Sequence, residues 1–372
     1  MRIGIDVRLL YHRQAGIGWY TLRLLQALAE IDQENTYVLL QHRRQPQPVV
    51  DAPNFTVANL LTPVHHRFEP WPLSLETLTL GLDLIHSPDF IPPLHNRIPA
   101  VITVHDLAFL LYPNFVTADS ARYYGQTELA VRRASRIIAV SNATRVDLVR
   151  LLGAPESKIN VIYEAADPQY RPMARPEARA CLLRAGVSTP ERFLLFVGTI
   201  EPRKNLGTLL RAYRQLRQLY EVRCPLVLAG ASGWLFDDVH ALVEKLDLWE
   251  HVHFTGMIPS TEAMRALYNL ADLLVHPAYY EGFGLPPLEA MACGTPVLCS
   301  NAGSLPEVTG GAALLAPPED VEAWTVAMHR LLHDAALRQE LRHKGLTRAA
   351  SFSWQAAARE TLETYRQVMA GA

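Results

Sequence analysis

The chain has 372 residues, with 35 Lys and Arg against 37 Asp and Glu and a formal net charge of −2, a balance that excludes the strongly basic surface of a nucleic-acid-binding domain. Hydrophobic residues make up 49% and charged residues 19%, which excludes a disordered chain, and at roughly 100–200 residues per domain the length suggests two domains. Cys181, Cys224, Cys293 and Cys299 show neither zinc-knuckle nor redox spacing and read as small buried hydrophobes in a reducing compartment.

The chain opens on Met1-Arg2-Ile3-Gly4-Ile5-Asp6, a strand pattern that lacks the apolar run and cleavage site of a signal peptide. No uncharged apolar stretch reaches the roughly 18 residues needed to span a bilayer, so the expectation is a cytoplasmic protein. Short apolar runs predict strands at Ile3–Val7, Tyr37–Leu40, Leu84–His86, Ala100–Val104, Arg136–Val140 and Lys158–Ile162. Helical spacing separates them, as in Tyr20–Ile31 with Leu24, Leu25, Leu28 and Ile31 on one face. Ser141–Thr144 offers cap chemistry before Val146–Leu152, and Gly153 a stop. The mildly basic stretch from Arg122 to Arg150, with Asp119 just ahead of it, is read as a solvated helix face. Its second reading is a weak peripheral contact with the inner face of a membrane or a lipid-linked acceptor.

Pro168, Pro172, Pro176 and Pro190 then punctuate an arginine-rich stretch that reads as a linker over 168–190 with one or two short helices. Alternation restarts with strands Phe193–Val197, Leu226–Ala229, Val252–Thr255, Leu273–His276 and Pro296–Cys299. Helices are expected at Leu206–Leu219, Val239–Leu246, Thr261–Asn269, Pro287–Ala292, Ala323–His333 and Ala335–Ala350. A terminal helix follows from the Ser353 cap, anchored by Trp354. The predicted class is α/β: an acceptor-side unit over 1–167, a donor unit over 191–350 and a helix over 351–372 crossing back to the first unit. Continuous apolar strands imply parallel sheets covered on both faces, with ligands taken beyond their carboxyl ends, in a cleft where two such edges face each other.

The richest segment runs from His276 to Glu289, after a strand and into a helix. Gly282 and Gly284 permit close backbone approach to a ligand, and the following helix N-terminus suits an anionic or hydroxyl-rich one. A lone Gly-x-Gly is an ordinary loop, but here Glu281 and Glu289 bracket it. A glycosidase pair needs carboxyls about 5–9.5 Å apart, whereas eight residues of helix rise about 12 Å. A looped spacer weakens this argument, and the other reading is that each carboxylate accepts hydrogen bonds from sugar or ribose hydroxyls. In Gly198–Leu206, Arg203 and Lys204 beside a helix start read either as a ready phosphate clamp or as two solvated bases in a turn. Gln14-Ala15-Gly16-Ile17-Gly18-Trp19 lacks the third glycine of the dinucleotide fingerprint. It still places glycines between a first strand and a helix, a phosphate-friendly arrangement. Val101–Val104 delivers His105 and Asp106 to a strand end. His65-His66 lacks companions for metal ligation.

Tyr280–Val297, with Glu281 and Glu289 eight positions apart, resembles the E-x7-E motif of the retaining glycosyltransferases of family 4, which have the GT-B fold of two Rossmann-like domains with parallel sheets facing a central cleft. The resemblance covers nearly the whole chain. It implies that Glu281 contacts donor-sugar hydroxyls, Glu289 the nucleotide ribose, and the backbone of Gly282, Phe283, Gly284 and Leu285 the sugar. Arg203 and Lys204 then bind the donor diphosphate, the Gly16–Gly18 backbone approaches it, and His105 lies against the donor sugar, with Asp106 either orienting its ring or contacting the acceptor. His86–Asp89 is expected on the acceptor side, and Glu307 in a structural role. Two positions depart from the pattern. Trp19 stands where many relatives carry a basic residue, and Glu164-Ala165-Ala166-Asp167 where many read Asn-Gly-Val-Asp. No metal or cofactor is implied. The donor expected from similarity to bacterial mannosyltransferases is GDP-mannose, with a UDP-hexose as runner-up, and the acceptor a saccharide or lipid-linked hydroxyl. The rival functions are a nucleotide-sugar epimerase and a non-catalytic sugar-nucleotide-binding protein.

Overall fold

The computed structural model describes residues 1–11, 16–45, 47–66, 68–115, 124–231, 233 and 236–371. Gln14, Ala15, Asp119 and Arg122 of the stretches singled out above lie outside them. The chain divides into one unit of Met1–Glu164 with Ser353–Ala372, and a second of Ala165–Phe352.

The first unit holds strands β1 (Arg2–Asp6), β2 (Thr36–His42), β3 (Phe55–Leu60), β4 (Leu84–Ser87), β5 (Ala100–Val104), β6 (Arg136–Ala139) and β7 (Ile159–Val161). All are parallel, in the order β3-β2-β1-β4-β5-β6-β7. Every residue of β4 and β5 is buried, as parallel strands covered on both faces require. Strand order reverses between β1 and β4, so the loops after these strands diverge and leave a crevice at their carboxyl ends. Helix Gly16–Ile31 follows β1 and buries Leu24, Leu25 and Leu28. The terminal helix Trp354–Ala370 packs against it. Ser353 caps that helix by accepting from the Ala356 amide at 3.1 Å, and its Tyr365 hydroxyl lies 2.7 Å from Nδ1 of His86 on β4.

The second unit holds β8 (Leu194–Val197), β9 (Leu226–Ala229), β10 (Val252–Gly256), β11 (Leu273–His276), β12 (Val297–Ser300) and β13 (Leu314–Ala316). Again all are parallel, in the order β10-β9-β8-β11-β12-β13. The switch point lies between β8 and β11. Helix Leu206–Tyr220 buries Leu206, Leu209, Leu210, Tyr213 and Leu216 at helical spacing. Each such side chain contributes about 1.5–3 kcal/mol on burial, and truncating Leu209 to Ala costs about 2–5 kcal/mol.

Residues 168–190 hold a short helix, as expected of this stretch, and it packs within the second unit. Helix Arg175–Arg184 buries Ala178, Cys181 and Leu182 and packs on helix Thr261–Leu270. The Met173 amide donates to Asn269 Oδ1 at 2.7 Å and Arg265 Nε to the Arg171 carbonyl at 3.1 Å. Prolines and exposed arginines outnumber the three apolar positions that bind this stretch to the second unit, so its composition reads as unpacked.

Candidate active site

Glu281 follows β11 and Lys204 follows β8, so the order of the sheet brings together residues 77 positions apart. The Glu281 carboxylate is 7% exposed. Its Oε1 accepts from Lys204 Nζ at 2.5 Å and from His276 Nε2 at 2.7 Å, and its Oε2 from Arg203 NH1 at 3.0 Å. Arg203 NH2 donates to Glu201 Oε1 at 2.8 Å. Burial works against ionisation of Glu281, but Lys204, Arg203 and the His276 hydrogen bond outweigh it and hold the carboxyl well below its usual range. Burial lowers the His276 pKa, with Lys204 and Arg203 adding to it against the pull of Glu281. The ring is therefore neutral, donates through Nε2, and leaves Nδ1 as a buried acceptor with no hydrogen-bond partner among the described residues.

This arithmetic limits what Glu281 can do. A carboxylate oxygen accepts about two hydrogen bonds, so Oε1 is saturated and further acceptance falls to Oε2. The two cations are matched by Glu281 and Glu201, so the cluster is electrically balanced. A diphosphate would compete with the carboxylates for N–H groups already aimed and desolvated.

The Gly-Pro loop is built from behind. Gly284 has φ 99° and caps helix Leu285–Cys293, with Pro in its first turn. A Cβ on Gly284 would fall 2.7 Å from Leu305 Cδ2. Ser304 Oγ lies 3.0 Å from the carbonyl of Glu281 and 2.6 Å from that of Phe283. Gly303, with φ 56°, brings its backbone so close that a Cβ would sit 2.6 Å from the Glu281 carbonyl oxygen. Gly282 and Phe283 are buried in this loop and Leu285 is half-buried. Glu289 is not part of the cation cluster: its Oε2 accepts from the buried Tyr268 hydroxyl at 2.7 Å. Gly16 and Gly18 lie in the first turn of helix Gly16–Ile31 rather than in a loop before it. The first-turn amides are thus helix-end donors. Trp19 lies under the Arg23 guanidinium, 5.7 Å from the ring centroid.

In the first unit, His105 stands at the end of β5. Its Nδ1 is 3.0 Å from Glu164 Oε1 and its Nε2 3.0 Å from the Pro88 carbonyl. Tyr20 packs edge-on against the ring at 4.7 Å. Asp106 does not orient this ring; its Oδ1 accepts from the Ala108 amide at 3.0 Å, and Glu164 takes the orienting role. His86 is core: fully buried, with Nε2 2.8 Å from Thr103 Oγ1. Asp89 pairs with His65 Nε2 at 2.6 Å. Asp6 and Glu69 close on the buried Arg8 guanidinium at 2.5 and 2.6 Å. In the basic stretch, exposed Arg132 pairs with Glu128 and Arg150 with Asp147, as on a solvated helix face. Among the described residues no three metal-ligating side chains converge, and no helix is long and apolar enough to cross a membrane.

A family model described as "Glycosyl transferases group 1" matches residues 184–348, and one described as "Glycosyltransferase Family 4" matches residues 15–170. O-antigen chain mannosyltransferase B of Escherichia coli is 36% identical over 284 residues, which span 76% of this chain and 74% of that protein. The chain belongs to glycosyltransferase family 4. This glycosyltransferase is also 33% identical over 273 residues to the serotype-specific mannosyltransferase WbdA of Escherichia coli, spanning 72% of this chain but only 33% of that protein's length. Sucrose-phosphate synthase from Thermosynechococcus elongatus superposes at a TM-score of 0.79 and 24% identity over 100% of both chains. The fold is GT-B, as the resemblance implies.

Four residues of this glycosyltransferase's polar architecture escaped the sequence reading: His276, Ser304, Tyr268 and Glu164. His276 left a signal as a strand-terminal histidine five residues before Glu281, and Glu164 as a departure from the family pattern. The partners of Ser304, Tyr268 and Glu164 lie between 21 and 59 positions away, which spacing does not reveal.

Proposed function

We propose that this glycosyltransferase moves mannose from GDP-mannose to an acceptor hydroxyl in the synthesis of cell-surface polysaccharide or glycolipid, retaining the anomeric configuration and using no metal ion. The observation that carries the reading is the pair Arg203 and Lys204, held on the buried Glu281 carboxylate at the switch point of the second sheet. The identity of the donor sugar is supported by the 36% identity to a mannosyltransferase.

In this reaction the bond between the anomeric carbon and the diphosphate oxygen breaks, and its electron pair leaves with GDP. Arg203 and Lys204 stabilise the charge as it develops, the work that preorganised donors do best. The acceptor oxygen bonds to the same face of the anomeric carbon, through an oxocarbenium-like transition state, and its proton passes to the departing diphosphate. Glu281 and the Gly282–Leu285 backbone hold sugar hydroxyls, and Glu289 holds ribose hydroxyls.

A thermal-shift titration with GDP and UDP, in EDTA, tests the donor site. A ligand at about 100 times its Kd stabilises the folded state by about 2.7 kcal/mol. GDP is expected to raise the melting temperature and UDP to leave it unchanged. A response to UDP alone overturns the donor base while leaving transfer intact. A response to neither overturns the donor site. Interconversion of nucleotide sugar without acceptor would mark an epimerase, and binding without turnover a non-catalytic protein.

A further inference from the structure

We propose that Glu164 is a positioning residue that holds His105 as a doubly protonated ring, so that His105 acts as a fixed hydrogen-bond donor and cation and never as the base for an incoming hydroxyl. The protonation state stands on the contacts of the ring and the charges that face it. Its consequence for the reaction rests on the transferase reading above.

Each ring nitrogen of His105 faces an oxygen at 3.0 Å: Nε2 the Pro88 carbonyl and Nδ1 the Glu164 carboxylate. A carbonyl only accepts, so Nε2 carries a proton. An ionised carboxylate also only accepts, so Nδ1 carries one too. A neutral imidazole has a single N–H and would set a lone pair against one of these oxygens.

The ring has little room to choose otherwise. Tyr20 covers it edge-on, with interplanar angle 85°, and is itself held by Thr103 Oγ1 at 3.2 Å. Thr144 Oγ1 donates to the His105 carbonyl at 3.3 Å. The titratable groups facing the ring are Glu164 after β7, Asp89 after β4, His86 on β4 and Tyr20 on the first helix. Glu164 and Asp89 favour a cation; His86 stays neutral in its burial. Burial by itself would lower the His105 pKa, and the Glu164 hydrogen bond and charge overturn that and raise it. The position where the family pattern has Asn thus holds the one side-chain carboxylate within hydrogen-bond distance of this ring among the described residues.

If both nitrogens keep their protons, His105 has no lone pair for the acceptor's proton, and that proton leaves with the diphosphate. The alternative is a proton shared the other way, with neutral Glu164 donating to a lone pair on Nδ1.

Nitrogen NMR of the full chain with 15N-histidine distinguishes the two, with His105→Gln used to assign the signals. At about neutral pH both ring nitrogens of His105 are expected at shifts of protonated nitrogen. In Glu164→Gln the titration midpoint of His105 is expected to move to lower pH. One lone-pair nitrogen in the native chain, or an unmoved midpoint in the variant, overturns the proposal. The native spectrum decides it even if the variant fails to fold. The reaction arm is the pH profile of kcat for mannosyl transfer. It is expected to fall as His105 loses its proton, and to fall at lower pH in Glu164→Gln, with Glu164→Asp restoring the native limb. A rate that rises as His105 deprotonates refutes the non-basic role. Absence of transfer from GDP-mannose would count against the transferase reading, while the NMR result stands by itself.

Discussion

Acidification is expected to weaken the first unit through His86, and the size of the effect follows from its surroundings. His86 is fully buried on β4, between the Tyr365 hydroxyl and Thr103 Oγ1. Two hydroxyls suit a neutral ring, because one donates to its lone pair and the other accepts its N–H. Burial first, and then the charge of nearby His105, push its pKa from 6.5 down to about 3. A histidine with a depressed folded pKa stays neutral in the fold while the unfolded chain takes up a proton. Stability is therefore complete above pH 6.5 and drains away as pH falls toward 3. At 1.36 kcal/mol per unit, about 2 kcal/mol is lost by about pH 5 and about 5 kcal/mol once the folded ring itself protonates. His276 and the carboxylates titrate as well, so the clean quantity is a difference between two proteins. His86→Gln keeps a polar side chain but cannot titrate. Urea unfolding of both, followed by hydrogen exchange of peptides spanning 84–104, gives the stability gap at about pH 7 and about pH 5. The gap is expected to shrink by about 2 kcal/mol on acidification. Parallel behaviour of the two proteins would refute the argument, because it would mean that His86 takes its proton as readily folded as unfolded.

Three further outcomes can be measured. Tyr268→Phe removes the hydroxyl that Glu289 Oε2 accepts from; a hydrogen bond to a charged group contributes about 1.5–3 kcal/mol, so steady-state kinetics should show donor KM raised about tenfold or more with kcat little changed. Glu281→Gln leaves Lys204 without its carboxylate while Arg203 keeps Glu201, and is expected to cost about 3–5 kcal/mol, while a cycle with Lys204→Met should return a coupling above about 1 kcal/mol in urea melts; strict additivity would mean that the 2.5 Å contact carries no energy. Gly303→Ala forces a Cβ against the Glu281 carbonyl at 2.6 Å and should abolish transfer. Gly256→Ala, at φ 66° with nothing within 4 Å, pays strain alone, about 1–3 kcal/mol, and should keep activity in the same assay.

What could be read from the sequence follows burial in part. Interior strands such as β5 and β11 are buried along their whole length and announce themselves as unbroken apolar runs. Edge strands β3 and β13 went unread, the first because half-covered Phe55–Leu60 mixes polar with apolar side chains and the second because Leu314–Ala316 is three residues long, whereas the partly covered edge strands β7 and β10 were legible. Helix Arg175–Arg184 is one of the short helices expected over 168–190, but with three buried residues in ten its packing left little trace in the composition. At the active site, the legible groups were those whose use depends on backbone or on charge in sequence: the glycines and prolines of residues 282–287, and the adjacent Arg203 and Lys204. The groups that escaped meet their partners only through neighbours supplied by strand order.

The switch between β8 and β11 is what turns two unremarkable loops into one cluster, and the placement of β7 beside β6 is what returns Glu164 toward the end of β5. Glu164 makes the point most sharply. Read along the chain, it is a departure from a family pattern with no evident reason. Read across the sheet, it is an anion matched to a histidine 59 residues away. An Asn there could meet one tautomer of a neutral ring; a Glu can hold a charged one. A Glu at this position therefore changes the proton inventory of the strand end, and with it the chemistry open to His105.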